Sequence, residues 1–122
     1  MNGSRIAALA LLAATASDVF GQQPDAVVTL TRELKARAPA QWQVRVRWRD
    51  GALLASITPM PYDTAFQLWY QPQKLHDTLT ELCPRSDEEI WTMLKSDQNV
   101  ILEPTVGGKS GVELRVNCRA PG

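Results

Sequence analysis

The sequence predicts an α+β domain, with a single antiparallel sheet of about five strands and helices packed on one sheet face, in the order α-βββ-αα-ββ. One observation is strict alternation of apolar and polar residues around an Asp50-Gly51 turn and again near the C-terminus. The other is a pair of amphipathic stretches between these strand segments. Helices on one face leave the other sheet face exposed, which matches this alternation.

The first predicted element is a helix. Asp25 is a favourable N-cap residue, and Val27, Leu30 and Leu34 follow at helical spacing.

A hairpin follows this helix. Apolar and polar residues alternate over positions 42–49, and Asp50-Gly51 is a preferred two-residue turn because both residues tolerate positive φ. The turn places Arg49 opposite Ala52, and a shift by one residue would move every apolar side chain to the wrong face. The other predicted pairs are Trp48–Leu53, Arg47–Leu54, Val46–Ala55, Arg45–Ser56 and Val44–Ile57.

Residues 65–70 are ambiguous. Phe66, Leu68 and Tyr70 alternate as in a third strand, but Leu68 also continues the helical stripe of the next segment. The alternation favours a strand, and a helix is the alternative.

Two helices are predicted next. Pro72 suits a first helical position, and a stripe that ends at Cys83 is formed by Leu75, Leu79 and Leu82. Residues 86–89 have the composition of a capping box. They predict a helix to about residue 95 with three inward side chains, Ile90, Trp91 and Leu94.

The last two strands are predicted on either side of a glycine-rich loop at 107–111. Pairing Val106 with Val112 gives three further pairs: Leu102–Val116, Val100–Cys118 and, on the outer face, Glu103–Arg115. Cys118 then points towards the core, where the end of a helix presents Cys83. These two cysteines are therefore expected to form a disulfide.

The N-terminus predicts export. Arg5 precedes an apolar run over residues 6–16, which is shorter than the about 20 residues that span a bilayer and is typical of a signal peptide. Cleavage after Ala16 or Gly21 fits the small residues there, and Gly21 leaves a polar mature start. We expect a signal peptide at 1–21 and one α+β domain at 22–122. The alternative is an N-terminal core helix.

Composition narrows the function classes. The chain of 122 residues has 13 basic and 13 acidic side chains. Its formal net charge of zero favours neither nucleic acid nor an anionic membrane as partner. An even cysteine count in an exported chain favours a disulfide, and two cysteines with one histidine are too few for a structural zinc site. We expect no metal or other cofactor and no stable membrane anchor after cleavage.

Two surface features are candidate binding sites. Arg45, Arg47 and Arg49 project from one strand face, and Arg115 joins them if the C-terminal hairpin lies in the same sheet. Guanidiniums in this arrangement bind carboxylates or phosphates, although a solvated sheet face would look the same. The second is a proline-stiffened loop at 59–63 that carries Met60 and Tyr62, residue types enriched at protein contacts.

Catalytic motifs are weak. Gly108-Lys109-Ser110 resembles the end of a phosphate-binding loop, but Glu103 stands where the first glycine is needed. His76, the sole histidine, lies off the leucine stripe beside Asp77, as on a solvated helix face.

The leading hypothesis is a periplasmic or secreted, non-enzymatic protein that binds another protein, as an inhibitor or immunity-type factor does. The alternatives are a small-ligand carrier with a pocket between sheet and helices, and a small hydrolase that uses His76 with Asp77 or Glu81.

Overall fold

The computed structural model describes residues 24–119, and the predicted signal peptide lies outside the described residues. The elements, in chain order, are α1 (Pro24–Arg37), β1 (Gln43–Arg49), β2 (Ala52–Thr58), α2 (Tyr62–Trp69), α3 (Pro72–Leu82), α4 (Ile90–Met93), β3 (Val100–Val106), β4 (Lys109–Ser110), a 3₁₀ turn (Val112–Leu114) and β5 (Val116–Asn117).

The β1–β2 hairpin has the register predicted from its alternation. All seven pairs agree, from Arg49 opposite Ala52 at the turn to Gln43 opposite Thr58. Asp50 and Gly51 have φ of 52° and 79°, as the two-residue turn requires. The alternation and the turn residues were therefore sufficient to predict the register of this hairpin.

The sheet is mixed, so the prediction of a purely antiparallel sheet is wrong. β2 pairs in parallel with β3, with Ala55 opposite Leu102, whereas β3 pairs antiparallel with both β4 and β5. Between β2 and β3 the chain passes through α2, α3 and α4. A crossover of this kind carries the chain back to the end of the sheet at which β2 began, so the next strand runs in the same direction.

Residues 65–70 belong to helix α2 and the residue that follows it, so the strand predicted there is wrong. Ala65 and Leu68 are the buried residues of α2, and they lie three residues apart as on one side of a helix. The N–H of Ala65 donates to the carbonyl oxygen of Pro61 at 3.1 Å, which closes the first turn. The observed order is α-ββ-ααα-βββ.

The C-terminal register is confirmed at β5 and wrong at the hairpin tip. Leu102 pairs with Val116, and the N–H of Cys118 donates to the carbonyl oxygen of Val100 at 2.8 Å. Val106, however, pairs with Lys109 across a tight turn of Gly107 and Gly108. The tighter turn leaves more residues between β4 and β5 than predicted. The 3₁₀ turn at Val112–Leu114 accommodates them, so that the predicted register is found again at β5.

The predicted amphipathic helices differ in how closely they match. α3 begins at Pro72 and buries Leu75, Leu79 and Leu82, as predicted. α1 buries Leu30 and Leu34, but Asp25 lies in its first turn rather than at a cap. α4 has only four residues, because residues 86–89 form turns, and of its predicted inward side chains Ile90 is the buried one.

One buried cluster joins the helices to one face of the sheet. Its helical members are chiefly leucines of α1 and α3, and its strand members are Leu53, Ala55, Ile57, Val100, Leu102 and Val116. The predicted disulfide is formed: Cys83 follows α3 and Cys118 follows β5, with Cα atoms 5.3 Å apart. Within residues 24–119, no helix is long and apolar enough to cross a membrane.

Candidate functional site

Three arginines of β1 form an exposed row, which we call the arginine face: Arg45, Arg47 and Arg49. All three are exposed, whereas Val44, Val46 and Trp48, which alternate with them, are half-buried against the core cluster. The predicted orientation of this strand is therefore the one observed.

Arg115 lies on the same side of the sheet but its charge is already paired. Ser56 pairs with Arg45 on one side and with Glu103 on the other, so these three residues lie side by side on one face of the sheet. Glu103 is only 2% exposed, and the Nε of Arg115 donates to its Oε2 at 2.5 Å. Because a buried carboxylate needs a partner, Arg115 is held by Glu103 rather than available to a ligand.

The arginine face itself has few partners. Within residues 24–119, the guanidiniums of Arg45 and Arg47 make no hydrogen bond or ion pair. The Nε of Arg49 lies 3.9 Å from Oδ2 of Asp50, and both side chains are largely exposed. Such a contact is weak in water, so the positive charge of the row is mostly uncompensated.

The two predicted binding residues of the loop at 59–63 differ in their exposure to solvent. Met60 is half-buried before α2, and Tyr62 is the first residue of that helix. Tyr62 is 54% exposed, so the structure places one of the two predicted residues on the surface.

Tyr62 belongs to a row of aromatic side chains that the sequence analysis missed. Tyr62, Phe66 and Tyr70 follow one another every four residues, which places them on one side of α2 and its C-cap. Phe66 is 45% exposed and Tyr70 is 69% exposed. The ring centroids are 5.9 Å apart for Tyr62 and Phe66 and 4.8 Å apart for Phe66 and Tyr70. We call these three residues the aromatic surface; their four-residue spacing was the available signal for it.

The aromatic surface borders the β3–β4 turn. Both border a cavity of about 160 Å³, which is lined by Tyr62, Phe66, Trp69, Tyr70, Val106, Gly107 and Lys109. A Cβ at Gly107 would lie 3.7 Å from Cε1 of Tyr62, in ordinary contact. Trp69 also lines the next groove with Val112, another exposed apolar residue. Exposed apolar side chains therefore extend from α2 to the C-terminal segment.

His76 is exposed on α3. Asp77 accepts a hydrogen bond from Nε2 of Gln73 at 2.9 Å, and Glu81 is exposed. Within residues 24–119, the imidazole makes no hydrogen bond to either carboxylate, so the acid–base pair required by a His76 hydrolase is not preformed.

A charged cluster joins α1 to the segment after α3. Nε and Nη2 of Arg37 donate to the carbonyl oxygen of Leu82 at 3.2 and 3.1 Å, and Nη1 donates to Glu88. Burial and the nearby Glu88 carboxylate raise the pKa of Glu33, whose buried Oε1 has no hydrogen-bond partner among the described residues. Burial also acts to raise the pKa of Glu88, but the N–H of Arg85 and the guanidinium of Arg37 outweigh it and lower that pKa.

The disulfide borders a second cavity, of about 420 Å³, lined by Pro84, Ser86, Trp91, Cys118 and Arg119. The guanidinium of Arg119 lies 4.7 Å from the ring centroid of Trp91, and its Nε donates to the carbonyl oxygen of Gln98 at 3.0 Å. Arg119 is thus held at this cavity and is not part of the arginine face.

Within residues 24–119, no group of three or more histidine, cysteine, aspartate and glutamate side chains is arranged to hold a metal ion. No protein family, no curated protein and no solved structure matches this chain.

Proposed function

We propose that this chain is a small exported binding protein that acts without catalysis on another envelope or secreted protein, as an inhibitor or immunity-type factor does. The observation that carries the proposal is the aromatic surface. Large exposed hydrophobic side chains on the described residues are Val28, Tyr62, Phe66, Tyr70 and Val112, and four of these five lie on or near α2. Clustered exposure of this kind is typical of a protein-binding site, whereas scattered apolar residues are not.

The residue types also favour a protein partner. Tyrosine and phenylalanine bury a large area with few rotatable bonds, and tyrosine keeps a hydroxyl available at the edge of an interface. Residues of this kind often dominate the binding energy at the centre of an interface.

The frame beneath the aromatic surface supports preorganised binding. Ala65 and Leu68 anchor the opposite side of α2 in the protein interior, and the next helix, α3, is tied to the end of the sheet by the disulfide. A site that is already rigid loses less entropy when it binds.

The proposal includes export, which would place the partner protein in the periplasm or outside the cell. A disulfide is stable in oxidising compartments such as the periplasm or the extracellular space, and the N-terminal sequence resembles a signal peptide.

The proposal is tested by crosslinked capture from the cell envelope of the host, with identification by mass spectrometry. The full chain is compared with Phe66→Ala/Tyr70→Ala and with a matched control, Val28→Ala, which removes an exposed apolar side chain elsewhere. We expect a protein that the full chain and the control capture and the double variant does not. Equal capture by all three forms would contradict the proposal.

A ligand carrier is the second candidate, favoured by the cavity beside Trp91 and Cys118. Its position differs from the pocket expected between sheet and helices, where the core leucines are fully buried. A small molecule that copurifies with the chain and is lost from Trp91→Ala in native mass spectra would favour this candidate over the first.

A further inference from the structure

The arginine face has a regular spacing. Successive residues of a strand rise about 3.3 Å, so Arg45, Arg47 and Arg49 stand about 7 Å apart along β1. They are exposed, and Arg45 and Arg47 have no partner among the described residues. The row is therefore a linear array of cations with a fixed repeat.

The positive charge is confined to the width of one strand. On the far side of Ser56, the ion pair between Glu103 and Arg115 is neutral, and Asp50 marks the end of the row at the hairpin turn. A ligand that matches this field is narrow, anionic and extended.

We propose that the arginine face binds an extended acidic polypeptide segment with a carboxylate at every second residue. Side chains on one face of an extended segment repeat every two residues, so its carboxylates have the same spacing of about 7 Å as the guanidiniums. Each guanidinium can bind one carboxylate through two parallel N–H donors, which makes the match geometric as well as electrostatic.

Two other anionic partners fit less well. Single-stranded nucleic acid is usually bound with aromatic side chains beside the cations, but Trp48 of β1 lies on the opposite face of the sheet. Anionic membranes are usually bound by clusters of about four to eight cations. The arginine face has three arginines, on a chain of zero net charge.

The site is separate from the aromatic surface and is tested independently. Fluorescence anisotropy of the full chain is measured with a labelled peptide in which glutamate alternates with threonine. A peptide of the same composition with contiguous glutamates, a single-stranded oligonucleotide and phosphatidylglycerol vesicles serve as competing probes. We expect the alternating peptide to bind best, with an affinity that falls as salt is added.

Variants assign the binding to the arginine face. Because hydrogen bonds between charged groups are strong, Arg45→Gln/Arg47→Gln is expected to weaken binding of the alternating peptide by about tenfold or more. The matched control, Lys35→Gln/Lys74→Gln, removes the same charge from exposed helix positions and should leave binding within about twofold, as expected for screened distant charges. Arg45→Lys/Arg47→Lys keeps the positive charges and the strand structure. It should still bind the alternating peptide more weakly than the full chain does, because lysine cannot bind a carboxylate through two parallel N–H donors.

The proposal is overturned if the alternating peptide does not bind, if the contiguous peptide, oligonucleotide or vesicles bind as well or better, or if the control loses as much affinity as the glutamine variant. If that variant fails to fold, the lysine variant decides: affinity equal to that of the full chain contradicts the proposal. Failure here leaves the envelope-capture test of the aromatic surface unaffected.

Discussion

The ring of Phe66 makes an edge-to-face contact with the ring of Tyr70, at a centroid distance of 4.8 Å, on the exposed side of α2. In the predicted strand these two residues and Leu68 would have shared one face. The helix separates them, because Leu68 turns into the interior while Phe66 and Tyr70 remain outside. This difference turns a predicted strand into a candidate binding surface.

The helical assignment of α2 predicts unequal effects of two neighbouring substitutions. Leu68→Ala removes a buried side chain and is expected to cost about 2–5 kcal/mol of unfolding free energy. Phe66→Ala removes an exposed ring and should cost about 1 kcal/mol or less. Urea denaturation of both variants measures the difference. Similar, large costs at both positions would indicate that the two side chains share a buried face, as in a strand.

The disulfide is expected to stabilise the fold strongly. It joins residues 35 apart in sequence. In the chain-entropy treatment a loop of this length contributes about 4 kcal/mol. Cys83→Ala/Cys118→Ala should therefore lower the unfolding free energy by about this amount, measured by urea denaturation. Reduction of the unmodified chain should have a similar effect, and stability that is unchanged by both treatments would show that the bridge is unimportant.

The raised pKa of Glu33 predicts the direction in which the stability of the fold changes with pH. Burial and the Glu88 carboxylate raise the pKa of Glu33 in the folded protein. The contribution of Glu33 to stability is therefore fully present below the pKa that its carboxyl has in the unfolded chain. It is lost as the pH rises through the pKa that the carboxyl has in the folded protein. Glu33→Gln removes this loss, and should make the chain more stable than the unmodified form at neutral pH but not in acid. Thermal unfolding across pH measures this.

A matched control for Glu33 is Glu81→Gln, which removes an exposed carboxylate from α3. Because this side chain is exposed, its replacement should change stability little. Glu88 acts in the opposite sense: its lowered pKa gives stability above the unfolded pKa that is lost as the pH falls. A Glu33→Gln variant less stable than the unmodified chain at neutral pH would contradict the assigned role.

The tight β3–β4 turn predicts a penalty for side chains at Gly108. Its φ is 78°, and a Cβ there would meet nothing within 4 Å, so the penalty comes from the backbone alone. Gly108→Ala should cost about 1–2 kcal/mol, and Gly108→Asn should cost less because asparagine tolerates this conformation better. Equal stability of both variants and the unmodified chain would favour the longer, flexible loop predicted from the sequence.

The parts of the fold that could be predicted are those determined by the residue pattern of short segments. The β1–β2 register follows from alternation and the Asp50-Gly51 turn, and the pairing of Leu102 with Val116 follows from matching two alternating segments. The disulfide then follows, because this register turns Cys118 towards the helix that ends beside Cys83. Sequence alternation likewise predicted the arginine face.

The rest depended on interactions that no short segment contains. The parallel pairing of β2 with β3 is a consequence of the helical crossover, which brings distant residues such as Ala55 and Leu102 together. For residues 65–70, both periodicities fit so short a stretch, and tertiary burial of Leu68 decided between them. The aromatic surface was missed because the strand prediction for residues 65–70 hid the four-residue spacing of Tyr62, Phe66 and Tyr70.

Photo-crosslinking at position 66 tests the central proposal most directly. The chain with Phe66→p-benzoylphenylalanine is irradiated in the host envelope, and the same amino acid at exposed position 28 serves as the control. We expect a discrete crosslinked protein from position 66 that is absent from position 28 and is lost when Tyr70→Ala is added. No crosslinked protein at position 66, or the same products from both positions, would contradict the proposal that the aromatic surface binds a protein partner.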